Sequence, residues 1–92
     1  MALQEYQMLI DGAWVDASDG ARFDSVNPAT GAAWATIPEA TTADVNAAVA
    51  AAEAALHGPW GQMTPTARGK CLRRLGDLLA ENSEDLGRVE TT

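Results

Sequence analysis

The stretch Trp34-Ala35-Thr36-Ile37-Pro38-Glu39-Ala40-Thr41-Thr42-Ala43-Asp44-Val45 decides the fold class, because the period of the apolar residues changes inside it. Up to Ile37 the pattern is that of short strands separated by turn residues. Beyond Pro38, Val45, Ala48, Val49, Ala52 and Leu56 recur at helical spacing and draw one narrow apolar stripe. Thr41 or Thr42 can cap that helix, with Asp44 in its first turn facing the positive end of the dipole. The stripe is mostly alanine, so the helix is expected to lie close to its neighbour. Gly58-Pro59 stops it, which gives a helix over 42–57.

Upstream of the switch, Met8-Leu9-Ile10 and Ala13-Trp14-Val15 flank Asp11-Gly12. Asp-Gly between apolar runs signals a two-residue hairpin, since a type I′ turn needs positive φ at both central positions. Asp19-Gly20 marks a further turn. Phe23 to Val26 and Trp34 to Ile37 read as strands joined by Asn27-Pro28-Ala29-Thr30-Gly31, where Pro28 pushes Asn27 towards an extended shape. The expectation over 8–38 is one small antiparallel sheet made from two β-hairpins.

Downstream, Thr64 caps a second helix with Pro65 at its first position, where the missing N–H costs nothing. Leu72, Leu75, Leu79 and Leu86 line one face, with Cys71, Leu78 and Val89 beside it. The leucine period predicts one helix over 65–91, and Glu90-Thr91-Thr92 shows no stop signal, so the helix reads as truncated. The class is therefore α+β: two antiparallel β-hairpins followed by two α-helices. Residues 1–92 are taken together as one part of a domain.

Composition limits the functions that such a chain can carry. Ninety-two residues make at most one small domain. Nineteen are alanine, while Leu, Ile, Val and Phe together number sixteen, so large apolar side chains are scarce. The net charge is -7. Residues 1–60 hold eight acids and a single base, Arg22, which argues against nucleic acid as a partner. Met1 to Ile10 has no basic start, so no signal peptide is expected. The longest apolar run of the alanine-rich region, Ala47 to Ala52, is far too short to span a membrane. One cysteine cannot form an internal disulfide, which suits a reducing cytoplasm.

The strings then combine into a resemblance. Leu9-Ile10-Asp11-Gly12-Ala13-Trp14-Val15 resembles the opening of NAD(P)-dependent aldehyde dehydrogenases, and Ser25-Val26-Asn27-Pro28-Ala29-Thr30-Gly31 is similar to that family's "VNPATG" segment. Pro38-Glu39-Ala40, Asp44-Val45, Pro59-Trp60, Met63-Thr64-Pro65, Arg68-Gly69, Leu72-Arg73-Arg74-Leu75 and Glu90-Thr91 follow in family order. Each piece alone is generic; their order and spacing over nearly the whole chain carry the match. The resemblance implies the N-terminal portion of an α/β aldehyde dehydrogenase. In that family a cysteine thiolate attacks the aldehyde, hydride passes to NAD or NADP, and a glutamate-activated water releases the acid. It also implies a homo-oligomeric enzyme, with the remainder of the subunit as this segment's packing partner.

The family's nucleophile, base and cofactor-gripping motifs match nothing in these 92 residues. No two glycines sit at i and i+2, so there is no G-x-G-x-x-G, and neither a P-loop nor H-E-x-x-H occurs. No catalytic or cofactor-binding residue is assigned. Cys71 lies in a helix outside any nucleophile context and reads as a small buried or half-buried apolar residue. His57 ends the first helix, where its charge would suit the dipole. Arg68, Lys70, Arg73 and Arg74 read as a solvated face or as partners for acids elsewhere, and Trp14, Trp34 and Trp60 as packing anchors. The resemblance implies one metal position: some members hold a monovalent cation through oxygens at the places of Ser25 and Val26. Two other classes of function stay open, a self-standing protein-binding module and a truncated product with no function of its own.

Overall fold

Each segment follows from local chemistry first. In the computed structural model, which describes residues 3–92, Asp11 and Gly12 both take positive φ, 52° and 74°. That is the backbone of a two-residue hairpin loop. It joins β2 (Met8–Ile10) to β3 (Ala13–Val15), with Ile10 opposite Ala13 and Met8 opposite Val15. β4 (Arg22–Val26) and β5 (Ala33–Pro38) form the second hairpin, antiparallel, with Phe23 opposite Ile37 and Ser25 opposite Ala35. Asn27 builds the intervening turn. Its N–H donates to Ala32, its carbonyl accepts from Thr30 and Gly31, and its Oδ1 accepts from Ala29 at 2.9 Å. Gly31 supplies the positive φ of 71° that closes the turn.

The two hairpins do not share a sheet, contrary to the sequence-based expectation. β2 and β3 stand as a two-stranded sheet, and the other sheet has the order β1-β5-β4, where β1 is Gln4–Glu5. β1 runs parallel to β5, pairing Gln4 with Ala35 and Glu5 with Thr36. The edge of β5 that the first hairpin would have needed is taken by this dipeptide. β5 is thus the central strand and the best buried, with Ala35 at 0% exposure and Pro38 also buried.

After β5 the chain enters α1 (Thr42–His57), then a single turn α2 (Pro59–Gln62), then α3 (Pro65–Glu81) and α4 (Ser83–Thr91). Thr64 caps α3, its Oγ1 accepting from Ala67 N–H at 3.1 Å, with Pro65 at the first helical position. The expected single helix over 65–91 is broken at Asn82. That residue has φ -109° and ψ 17°, and its side-chain Nδ2 donates back to Leu78 O at 2.8 Å. The amide competes with the helical ladder for the last carbonyls of α3, which ends the helix there. Ser83-Glu84-Asp85 then opens α4, with two acids in its first turn.

The chain divides into two compact units, Met1–Ala54 and Ala55–Thr92, with the boundary inside the last turns of α1. Each unit is poor in core. Among the described residues, the buried apolar positions counted in the core are Ala17 and Ala35 alone, and all eight leucines of the chain are exposed. No helix among the described residues is long and apolar enough to cross a membrane.

Candidate functional site

The positions with site potential in the first unit lie along β4 and at the start of α1. Ser25 and Val26 follow one another on β4, half-buried and exposed respectively, and the strand pairing slips between them: Ser25 faces Ala35, but Val26 faces Ala33. Such an irregularity bends a strand and re-aims its groups. β4 is also an edge strand, so one side of its backbone meets no strand among the described residues. A hard cation wants an oxygen shell. Here the Ser25 hydroxyl and the carbonyls of both residues are of the right chemical kind. They are few, and among the described residues no group of three or more His, Cys, Asp or Glu converges to hold a metal. By themselves these oxygens do not make a complete shell.

At the other end of β4, Arg22 is the organising side chain of the unit. Its Nη2 donates to Tyr6 O at 2.6 Å and to Thr36 O at 2.9 Å, and its Nε to Thr36 Oγ1 at 2.9 Å. Its Nη1 meets Asp16 Oδ1 at 3.4 Å, and Gln7 Nε2 reaches the same oxygen at 3.2 Å. One guanidinium therefore fastens β4 to β5, to the residue after β1, and to the exit of the first hairpin. Its planar fork of donors makes this possible where a lysine would not suffice. In the sequence Arg22 stands out only as the lone base of residues 1–60. Its partners lie far along the chain, so local pattern does not show this role. Tyr6 also meets Trp34 edge to face, ring centres 5.9 Å apart at 71°. The indole Nε1 of Trp34 is buried without a hydrogen-bond partner among the described residues.

At the start of α1, Asp44 is a clasp. Its carboxylate accepts from Thr41 N–H at 2.8 Å and from Ser18 N–H through both oxygens, at 3.1 and 3.2 Å. Thr41 Oγ1 accepts in turn from Asp44 N–H at 3.2 Å and shares a 2.7 Å hydrogen bond with Ser18 Oγ. This is a reciprocal capping box, with Thr41 and Asp44 three residues apart, that also ties down the turn after β3. The backbone N–H of Thr41, and next that of Ser18, hold the Asp44 carboxyl below the usual carboxylate range, against a smaller opposing push from burial. A helix N-terminus can attract a phosphate. That of α1 is already filled by the chain's own carboxylate.

The remaining candidates are dispersed. Cys71 is exposed on α3, not buried or half-buried as the sequence reading has it. Trp14 is 67% exposed on β3 opposite Leu9, too open to anchor a core among the described residues, and Trp60 is exposed on α2. His57 does end α1. Arg68 departs from the basic run: its Nη1 donates to Met63 O at 2.6 Å and to Trp60 O at 3.4 Å, which satisfies carbonyls at the end of α2. Arg74 pairs with Glu81 at 3.7 Å on the exposed side of α3. Lys70 and Arg73 are exposed.

An apolar groove of about 300 Å³ runs between β2 and α1, lined by Met8, Leu9, Ile10, Val45, Ala48 and Val49, with Ala40 and Asp44 at its margin. It contains no convergent set of acids, bases or nucleophiles. The alanine stripe read from the sequence forms one wall of this groove rather than a buried helix contact.

With this geometry established, comparison with known proteins places the chain. Residues 14–92 match the sequence model of the aldehyde dehydrogenase family. The chain is similar to (Z)-2-((N-methylformamido)methylene)-5-hydroxybutyrolactone dehydrogenase of Acinetobacter baylyi, 45% identical over 91 residues, covering 98% of this chain and 18% of that protein. Its structure superposes on the NAD-dependent aldehyde dehydrogenase of Sinorhizobium meliloti with TM-score 0.91 and 39% identity, over 98% of this chain and 18% of that one. The aldehyde dehydrogenase of Bacillus cereus in complex with NAD+ gives TM-score 0.91 and 40% identity, over 95% and 18%. The chain thus spans about a fifth of the length of each of these three proteins. The α+β arrangement of strands followed by helices recurs in these enzymes as their N-terminal segment. On the strength of the family match and these likenesses, this chain belongs to the aldehyde dehydrogenase family.

Proposed function

We propose that the chain is the N-terminal segment of an enzyme that oxidises an aldehyde to a carboxylic acid with NAD or NADP, through a cysteine thiohemiacetal. The observation that carries this reading is the recurrence of the same backbone, at TM-score 0.91, inside NAD-dependent aldehyde dehydrogenases of which the chain is 18%. The chemistry falls to residues beyond these 92. The chain's own residues build a platform: Arg22 fixes the sheet, Asp44 fixes the start of α1, and the apolar faces of α1, α3 and α4 offer surface to the rest of the subunit. In this reading the intact enzyme is a homo-oligomer of the cytoplasm, a compartment that suits an exposed unpaired thiol at Cys71. Ser25 Oγ and the carbonyls of Ser25 and Val26 would contribute part of the shell of a monovalent cation. Such a cation would steady the bend of β4.

Two measurements test the reading. The purified chain, given NAD or NADP and a panel of aldehydes, is expected to give no rise in reduced-nicotinamide absorbance. A rise abolished by Cys71→Ala would overturn the assignment of chemistry to other residues. A chimera carrying residues 3–92 in place of the matching segment of the Sinorhizobium meliloti enzyme is expected to retain NAD-dependent aldehyde oxidation. A folded but inactive chimera would count against the platform role.

A further inference from the structure

We draw no further inference here: the strongest candidate, the open apolar groove between β2 and α1 lined by Met8, Leu9, Ile10, Val45, Ala48 and Val49, carries nothing because no feature of the structure shows what covers it.

Discussion

Asp44 has the electrostatics of a pH-dependent fastener, and the sign of its effect follows from its partners. The N–H groups of Thr41 and Ser18 favour the ionised carboxylate, so its folded pKa lies below the unfolded value of about 3.9. A depressed acid contributes stability that is fully present above the unfolded pKa and is lost as pH falls through the folded one. We expect the amide of Ser18 and the first turn of α1 to keep their hydrogen-exchange protection at neutral pH and to lose it in the acid range below about 3.9. Asp44→Asn should weaken the clasp at neutral pH and flatten this acid dependence. Protection at Ser18 that falls equally in wild type and variant would assign the effect to another group. Arg22 makes a complementary case. Arg22→Met keeps the apolar stem but removes every donor, leaving Thr36 O and Tyr6 O without the guanidinium. A lost hydrogen bond to a charged group costs about 1.5 kcal/mol or more, so exchange at the Tyr6 amide, which donates to Thr36 O, should quicken by roughly tenfold. Unchanged exchange there would show that β1 holds to β5 without Arg22. Neither role was fully legible beforehand. From the sequence Asp44 reads as a partner of the helix dipole. Its link to Ser18, twenty-six residues away, depends on the path of the chain rather than on local pattern.

At the scale of elements, close backbone approaches fix the connections. A Cβ built on Gly61 would fall directly on the carbonyl of Leu56, at the end of α1. Backbone cannot move aside as a flexible side chain can. Gly61→Ala should therefore destabilise the α1–α2 connection by about 1–3 kcal/mol, the usual cost of overpacking. Gly69→Ala serves as the control, since a Cβ there meets nothing within 4 Å. Thermal melts followed by helical ellipticity would rank the two, and equal loss would remove the steric account. The same elements show where pattern reading succeeds. Asp11-Gly12 forced the first hairpin through its positive φ, and the shift of apolar period after Pro38 marked α1, whose span Thr42–His57 is set by capping at one end and Gly58-Pro59 at the other. β1 left no trace in the sequence, because Gln4 and Glu5 are polar and join the sheet through backbone pairing alone. The break at Asn82 was hidden by a leucine period that continues across it. Yet Asn82 followed by Glu84 and Asp85 is a start signal that could have been weighed against the period.

For the molecule as a whole, the decisive fact is where its leucines are. All eight are exposed, as are Trp14, Val45 and Val49. Folded chains bury leucine among their most buried residues and seldom expose contiguous apolar patches beyond about 600 Å². Five of the eight lie on α3 and α4, and the stripe of α1 is mostly alanine, which buries little area. The first unit has only the small β1-β5-β4 sheet and the β2–β3 hairpin to set against α1. In the Sinorhizobium meliloti enzyme the same backbone is 18% of the chain, and on the proposed reading the remainder of the subunit would cover these faces. The isolated 92 residues should then behave as a segment without its partner. We expect a hydrophobic dye to fluoresce strongly in its presence, a broad thermal transition, and self-association that grows with concentration. The chimera with the Sinorhizobium meliloti enzyme should lose the excess dye signal, because there α1, α3 and α4 regain a covering surface. A sharp transition from a monodisperse monomer that leaves the dye dark would overturn this account, and would instead favour a self-standing binding module.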